Sequence, residues 1–99
     1  MLLIDKNRKT LKSLCQKHKV EKLYLFGSAT NDDFTENSDI DLLVRFNPIE
    51  LSGYFENYTT FKQKLTQLFK REVDLVEEQA LKNPILINAI HKNRELIYG

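Results

Sequence analysis

Leu23-Tyr24-Leu25-Phe26 is apolar at every position and stops at Gly27. A run of this kind suits a central strand, which needs cover on both faces. A chain built around such a strand must supply other elements on each side of it, so a layered α/β or α+β arrangement is the natural solution. The rest of the pattern agrees. Residues 5–19 read as a helix with Leu11, Leu14, Cys15 and His18 on one stripe, and Lys19-Val20-Glu21-Lys22 links it to the strand. From Asp39 to Phe46 the period is two: Ile40, Leu42, Val44 and Phe46 share one face, and Asp39, Asp41, Leu43 and Arg45 share the other. Asn47-Pro48 ends that strand. Residues 50–70 form the clearest helix, with Leu51, Tyr54, Phe55, Tyr58, Phe61, Leu65, Leu68 and Phe69 at helical spacing. Glu72-Val73-Asp74-Leu75-Val76 reads as a third short strand with Asp74 facing opposite to Val73 and Leu75. Asn83 is predicted to cap a last helix, with Pro84 at its first position and Ile87, Ile90, Leu96 and Ile97 on its buried side. The polar stretch 27–38 is turn-rich and is expected to hold at most a short helix. The fold class expected is α/β (α+β): a small mixed sheet of about three strands flanked by helices, in a single domain over residues 1–99.

Ninety-nine residues, 41% hydrophobic and 29% charged, suit one soluble globular domain and exclude two full ones. Cys15 is the only cysteine, which removes a disulfide framework and a Cys-based zinc site. No apolar run approaches the roughly 20 residues of a membrane span. Asp5 and Lys6 come too early for a signal-peptide core, so a cytoplasmic location is expected. The net charge of +1 hides an asymmetry: residues 1–22 carry seven Lys/Arg against two acids, and residues 31–56 carry seven acids against Arg45 alone. A duplex-binding domain shows a dominant basic face, so direct nucleic-acid binding is not expected. The acidic stretch reads as a cation site or as a solvated loop.

Three features bear on chemistry. Gly27-Ser28 directly follows the apolar strand. Glycine allows close backbone approach to a ligand, and free N–H groups at a helix start would face an anion such as a phosphate; the plain alternative is an ordinary turn. Asp39 and Asp41, two apart on a strand, project to one side. Two carboxylates that close repel unless a cation or protons relieve them, and Mg²⁺ takes oxygen ligands and shares them with substrate phosphates. A surface pair at a strand start is the alternative, but Asp is disfavoured in an apolar strand such as Ile40–Val44. Asp74 is a lone acid inside Val73-Asp74-Leu75-Val76: either an exposed residue on an edge strand or a third carboxylate beside the first two.

Gly27-Ser28, ten residues, then Asp39-x-Asp41, in the context Leu25-Phe26-Gly27-Ser28 and Ser38-Asp39-Ile40-Asp41-Leu42-Leu43-Val44, resembles the signature of the DNA polymerase beta-type nucleotidyltransferase superfamily. The position of Asp74, the short length and Leu81-Lys82-Asn83-Pro84 resemble its minimal nucleotidyltransferase (MNT) subgroup. The resemblance implies the nucleotidyltransferase fold. It also implies that Gly27 and Ser28 hold a nucleoside triphosphate, ATP above all. Asp39, Asp41 and Asp74 would then be catalytic residues and ligands of two Mg²⁺ ions, with Asp74 helping to deprotonate the acceptor hydroxyl. It further implies a hetero-oligomer: members of this subgroup resemble antitoxins that add AMP to a tyrosine of an HEPN-type ribonuclease toxin and so silence it.

Many relatives carry a Gly-Ser-Arg-x-Arg-Gly pattern, whereas this chain has Ala29, Asn31 and Asp32 there. Two phosphate-facing charges are absent, which implies slow transfer. Two other functions therefore stay open: a binding module that neutralises its partner by occlusion, and transfer to a small molecule with a separate substrate-binding subunit. Cys15 reads as packing, and His18 and His91 lack metal-ligand spacing. The aromatics Tyr54, Phe55, Tyr58 and Phe61 read as core, with an excess that suits a partner surface. The lysines and Arg8 of the first helix read as a solvated face.

Overall fold

The structure, a computed structural model, describes residues 2–27 and 38–99. Two short helices, α1 (Leu2–Lys6) and α2 (Arg8–Lys17), replace the single helix expected over 5–19. They break at Asn7, whose backbone leaves helical angles while its side-chain amide donates to Leu3 O at 2.9 Å. The stripe itself holds: Leu11, Cys15 and His18 are buried and Leu14 is half-buried. Lys19 takes a left-handed φ of 59° and ends the helical segment. Strand β1 then runs Val20–Phe26, so most of the expected link 19–22 is strand.

Strand β2 (Ile40–Phe46) lies antiparallel to β1, with Leu23 opposite Val44 and Phe26 opposite Asp41. Helix α3 (Leu51–Phe69) crosses over to β3 (Val73–Glu77), which pairs with β2 in parallel. Parallel neighbours require such a crossover. A single 3₁₀ turn (Glu78–Ala80) leads towards α4 (Pro84–Asn93). Asn83 caps α4 as expected, its side-chain oxygen accepting from the N–H groups of Ile85 (3.0 Å) and Leu86 (3.5 Å), with Pro84 in the first turn.

The chain's last element corrects the sequence reading. Leu96 and Ile97 are not on a helix: α4 stops at Asn93, Arg94 turns extended, and Glu95–Tyr98 forms β4 against β1. The sheet therefore has four strands, in the order β3-β2-β1-β4. The physical reason is the free edge of β1. Its unpaired N–H and C=O groups need partners, and Glu95–Tyr98 supplies them while burying Ile97.

The sheet is covered on both faces, as its apolar central strands demand. The larger core places Leu23, Leu25, Leu42, Val44 and Leu75 under α1–α3, where Phe61 and Leu65 are fully buried. The smaller one joins Tyr24, Leu43 and Ile90 under α4. Phe46 and Phe61 meet edge-on with centroids 6.0 Å apart, and the His18 ring lies 5.3 Å from Phe61. His18 Nδ1 also pairs with Leu14 O at 2.9 Å, so this histidine is a core residue. Phe55 departs from the expected stripe: its side chain is 76% exposed. The Leu51 side chain and the possible short helix within 27–38 lie outside what the structure describes.

Cys15 has no exposed surface, and burial pushes its thiol up to about 12. The thiolate is the reactive form. Native protein at pH 8 is therefore expected to resist iodoacetamide, and unfolded protein to alkylate fully. Native alkylation at the rate of a free thiol would contradict this burial.

Candidate active site

The parallel register of β2 and β3 sets Asp41 directly beside Asp74. In-register residues on adjacent strands point to the same face, with backbones about 4.8 Å apart. That face is the one beneath α4, since Asp41 and Asp74 alternate with the buried Ile40, Leu42, Val73 and Leu75 of the opposite face. The expected parity therefore holds, and Asp74 does not lie across the sheet from Asp41. Asp39 sits two residues before Asp41, exposed, just ahead of the strand.

Electrostatics link the three acids. Partial burial, then the charges of Asp74 and Asp39, push the half-buried Asp41 carboxyl above the usual carboxylate range. Repulsion of this kind is what a cation relieves. Among the described residues, however, no three His, Cys, Asp or Glu side chains are gathered tightly enough to hold a metal ion by themselves. The arrangement is an in-register pair with a third acid in electrostatic reach, rather than a closed cage.

Gly27 ends β1 next to this pair. Its φ is +71°, and a Cβ there would stand 3.1 Å from Asp41 Cγ and run into the Asp41 carboxylate oxygen. Glycine is thus required twice, for the left-handed backbone and for the space the carboxylate fills. Ser28, the other expected nucleotide-binding residue, lies outside the described residues. A Gly27→Ala variant is expected to lose about 1–2 kcal/mol of stability from the left-handed backbone alone. It also displaces the Asp41 carboxylate. Urea denaturation reads the loss, and an unchanged midpoint would refute this role for the glycine.

Two neighbours escaped the sequence reading. Tyr58 of α3 donates its hydroxyl to Leu75 O, one residue beyond Asp74. Burial and then the Asp74 charge push its phenol above the ordinary tyrosine value. Helical spacing marked Tyr58 only as core, and nothing local in the sequence tells where its hydroxyl points. Arg71 Nη1 donates to Ser38 O at 3.2 Å and so ties the start of β3 to the start of β2, next to Asp39. Further along the same face, Arg45 pairs with Glu21 (2.8 Å) and Glu78 (3.6 Å), and the Arg94 guanidinium stacks 4.1 Å above the Tyr24 ring. Arg45 lies towards the opposite end of β2 from Asp41, and Arg94 is engaged over Tyr24, opposite Leu43 in mid-strand.

Known proteins are similar in sequence and share the fold. The family described as "Polymerase beta, Nucleotidyltransferase" matches residues 9–99. A candidate protein adenylyltransferase of Methanocaldococcus jannaschii is 38% identical over 91 residues, spanning 92% of this chain and 88% of the relative. A second from the same organism is 35% identical over 92 residues, with the same coverage. Among solved structures, a candidate minimal nucleotidyltransferase superposes with a TM-score of 0.77 at 28% identity, covering 93% of this chain and 90% of the other. A chain of a toxin–antitoxin complex solved with AMP-PNP superposes with a TM-score of 0.70 at 25% identity, covering 94% and 73%. On this match of sequence and fold, the chain belongs to the polymerase beta-type nucleotidyltransferase family and is a nucleotidyltransferase.

Proposed function

We propose that residues 1–99 act as one minimal nucleotidyltransferase domain that moves AMP from ATP to a hydroxyl of a partner protein. The partner proposed is an HEPN-type ribonuclease toxin, which the modification silences. The observation that carries this reading is the in-register pair Asp41–Asp74, with Asp39 in electrostatic reach and Gly27 closing beside it. The adenylyltransferase names of the two archaeal relatives and the toxin–antitoxin assembly of the solved neighbour support the substrate and the partner.

The donor set is oxygen only, which fits Mg²⁺, and its mutual repulsion is what bound cations would relieve. Asp39, Asp41 and Asp74 would hold two such ions, which when bound supply charge neutralisation at the phosphates and activation of the attacking oxygen. The protein's own part is positioning. Gly27 and Ser28 bind the triphosphate against the end of β1. Asp74 takes the proton of the acceptor hydroxyl. The bond from the acceptor oxygen to the α-phosphorus forms as the bond to pyrophosphate breaks. In this reading the partner protein completes the cleft.

The test is incubation of the purified chain with a co-encoded small helical protein, ATP and Mg²⁺, read by intact mass. Addition of an AMP unit to the partner is expected. Ala29 and Asn31 stand where many relatives carry arginine, so incubation must be long and ATP in excess. Unmodified partner after that treatment would overturn the reading.

A further inference from the structure

The sheet face opposite the acids carries a second feature. Two adjoining hollows, each of about 340 Å³, share Tyr54, Glu77 and Ala80 as lining. One of them is walled by Phe55 and Tyr58 as well. Glu77 is in register with Val44, which places it on the α1–α3 side, whereas Asp41 and Asp74 face α4. Glu77 is half-buried, and no described Lys, Arg or His side chain pairs with its carboxylate. Tyr58 does not serve it, because its hydroxyl is given to Leu75 O.

We propose that this groove, walled by Tyr54, Phe55 and Tyr58 and floored by Glu77 and Ala80, receives an arginine side chain of a partner protein. The inference rests on the reading that this chain acts on a protein. The Glu77 carboxylate lines both hollows and pairs with no described cation, so a positively charged group is the complement this groove lacks. Burial pushes the Glu77 carboxyl upward, which a neighbouring positive charge would reverse. The aromatic walls select guanidinium over ammonium, because a planar, weakly hydrated cation stacks on rings while its fork of N–H groups reaches the carboxylate. Phe55, 76% exposed at the rim, offers more apolar surface than a lone guanidinium needs. Arginine and aromatic side chains are the usual anchors of protein interfaces. Docking and chemistry then lie on opposite faces of one sheet, and each can be damaged alone.

The probe is a short arginine-containing peptide, with its citrulline counterpart as the neutral control, titrated into isotope-labelled full chain by NMR without nucleotide. The arginine peptide is expected to shift Tyr54, Phe55, Glu77 and Ala80 selectively, and the citrulline peptide to leave them in place. Glu77→Gln, which keeps shape and removes the charge, is expected to weaken binding by about tenfold or more. Phe55→Ala, at an exposed position, weakens it without threatening the fold. Equal binding of the citrulline peptide, shifts confined to Asp39, Asp41 and Asp74, or undiminished binding by Glu77→Gln would each overturn the proposal. The same residues shifting on raising protein concentration alone would assign the groove to a second copy of this chain and overturn it too. Because the titration uses neither ATP nor a toxin, its failure is distinct from a failure of nucleotide transfer.

Discussion

Asp41→Asn is expected to stop nucleotide transfer and, at neutral pH, to raise the melting temperature. The first effect follows from removing a charge at the centre of the acid cluster. In the proposed mechanism, metal and phosphate electrostatics would supply several kcal/mol of barrier lowering, so the rate should fall by about three orders of magnitude. The second follows from the direction of the carboxyl's displacement. Asp41 holds its proton more tightly folded than unfolded, through burial and the charges of Asp74 and Asp39. Between the unfolded and folded pKa values the folded state binds more protons. Stability is therefore greatest below that window and falls as pH rises through it. At neutral pH the wild type carries the full penalty and the amide carries none. A scan of Tm against pH checks this: the variant's advantage must shrink as pH falls towards the carboxylate range. Asp41 lies on the α4 face and away from the groove at Glu77, so pull-down of the partner should survive. If the variant binds and still neutralises the partner fully, occlusion and not chemistry is the biological mode of action.

Phe61→Ala is expected to be the most damaging substitution for the fold. Phe61 has no exposed surface and meets Phe46 edge-on while packing beside His18. Truncating a buried phenylalanine costs about 3–5 kcal/mol, transfer and cavity together. A domain of this size has roughly 5–15 kcal/mol in all. The urea midpoint should fall steeply with little change in slope, and Tm by something on the order of 20 °C. A loss under about 1 kcal/mol would mean that the α3–sheet core repacks around the gap.

The placement of the proposed site residues was legible because strand parity is rigid. Asp41 and Asp74 interrupt apolar strands, Asp39 stands just ahead of one, and a period of two admits only one side for each relative to its neighbours. That β2 and β3 would be adjacent and in register at Asp41 and Asp74 is tertiary information, carried by the length of α3 and not by either strand. The cap at Asn83-Pro84 was legible for a local reason too, since a side-chain acceptor before a proline suits a helix start. Leu96 and Ile97 were misread because three apolar residues in a row, Leu96-Ile97-Tyr98, fit helix and strand alike, and the unpaired edge of β1 decides between them. The division of the first helix at Asn7 turns on one side-chain bond to Leu3 O. The exposure of Phe55 depends on the angle at which α3 lies on the sheet. No periodicity reports either one.

The parallel pairing of β2 with β3 has a consequence for the chain during its own synthesis. The two facing carboxylates come from segments separated by the whole of α3, so neither half of the polypeptide contains the pair. A ribosome-bound chain released only as far as α3 presents Gly27, Asp39 and Asp41 without their counterpart. Only when residues 73–77 have emerged and docked beside β2 does the paired-acid end of the sheet exist. The edge strand from 95–98 closes the opposite flank last of all. The pair thus arises late and abruptly, only after residue 77 has been translated, and under the proposed mechanism a product truncated within α3 would be inert rather than partly active.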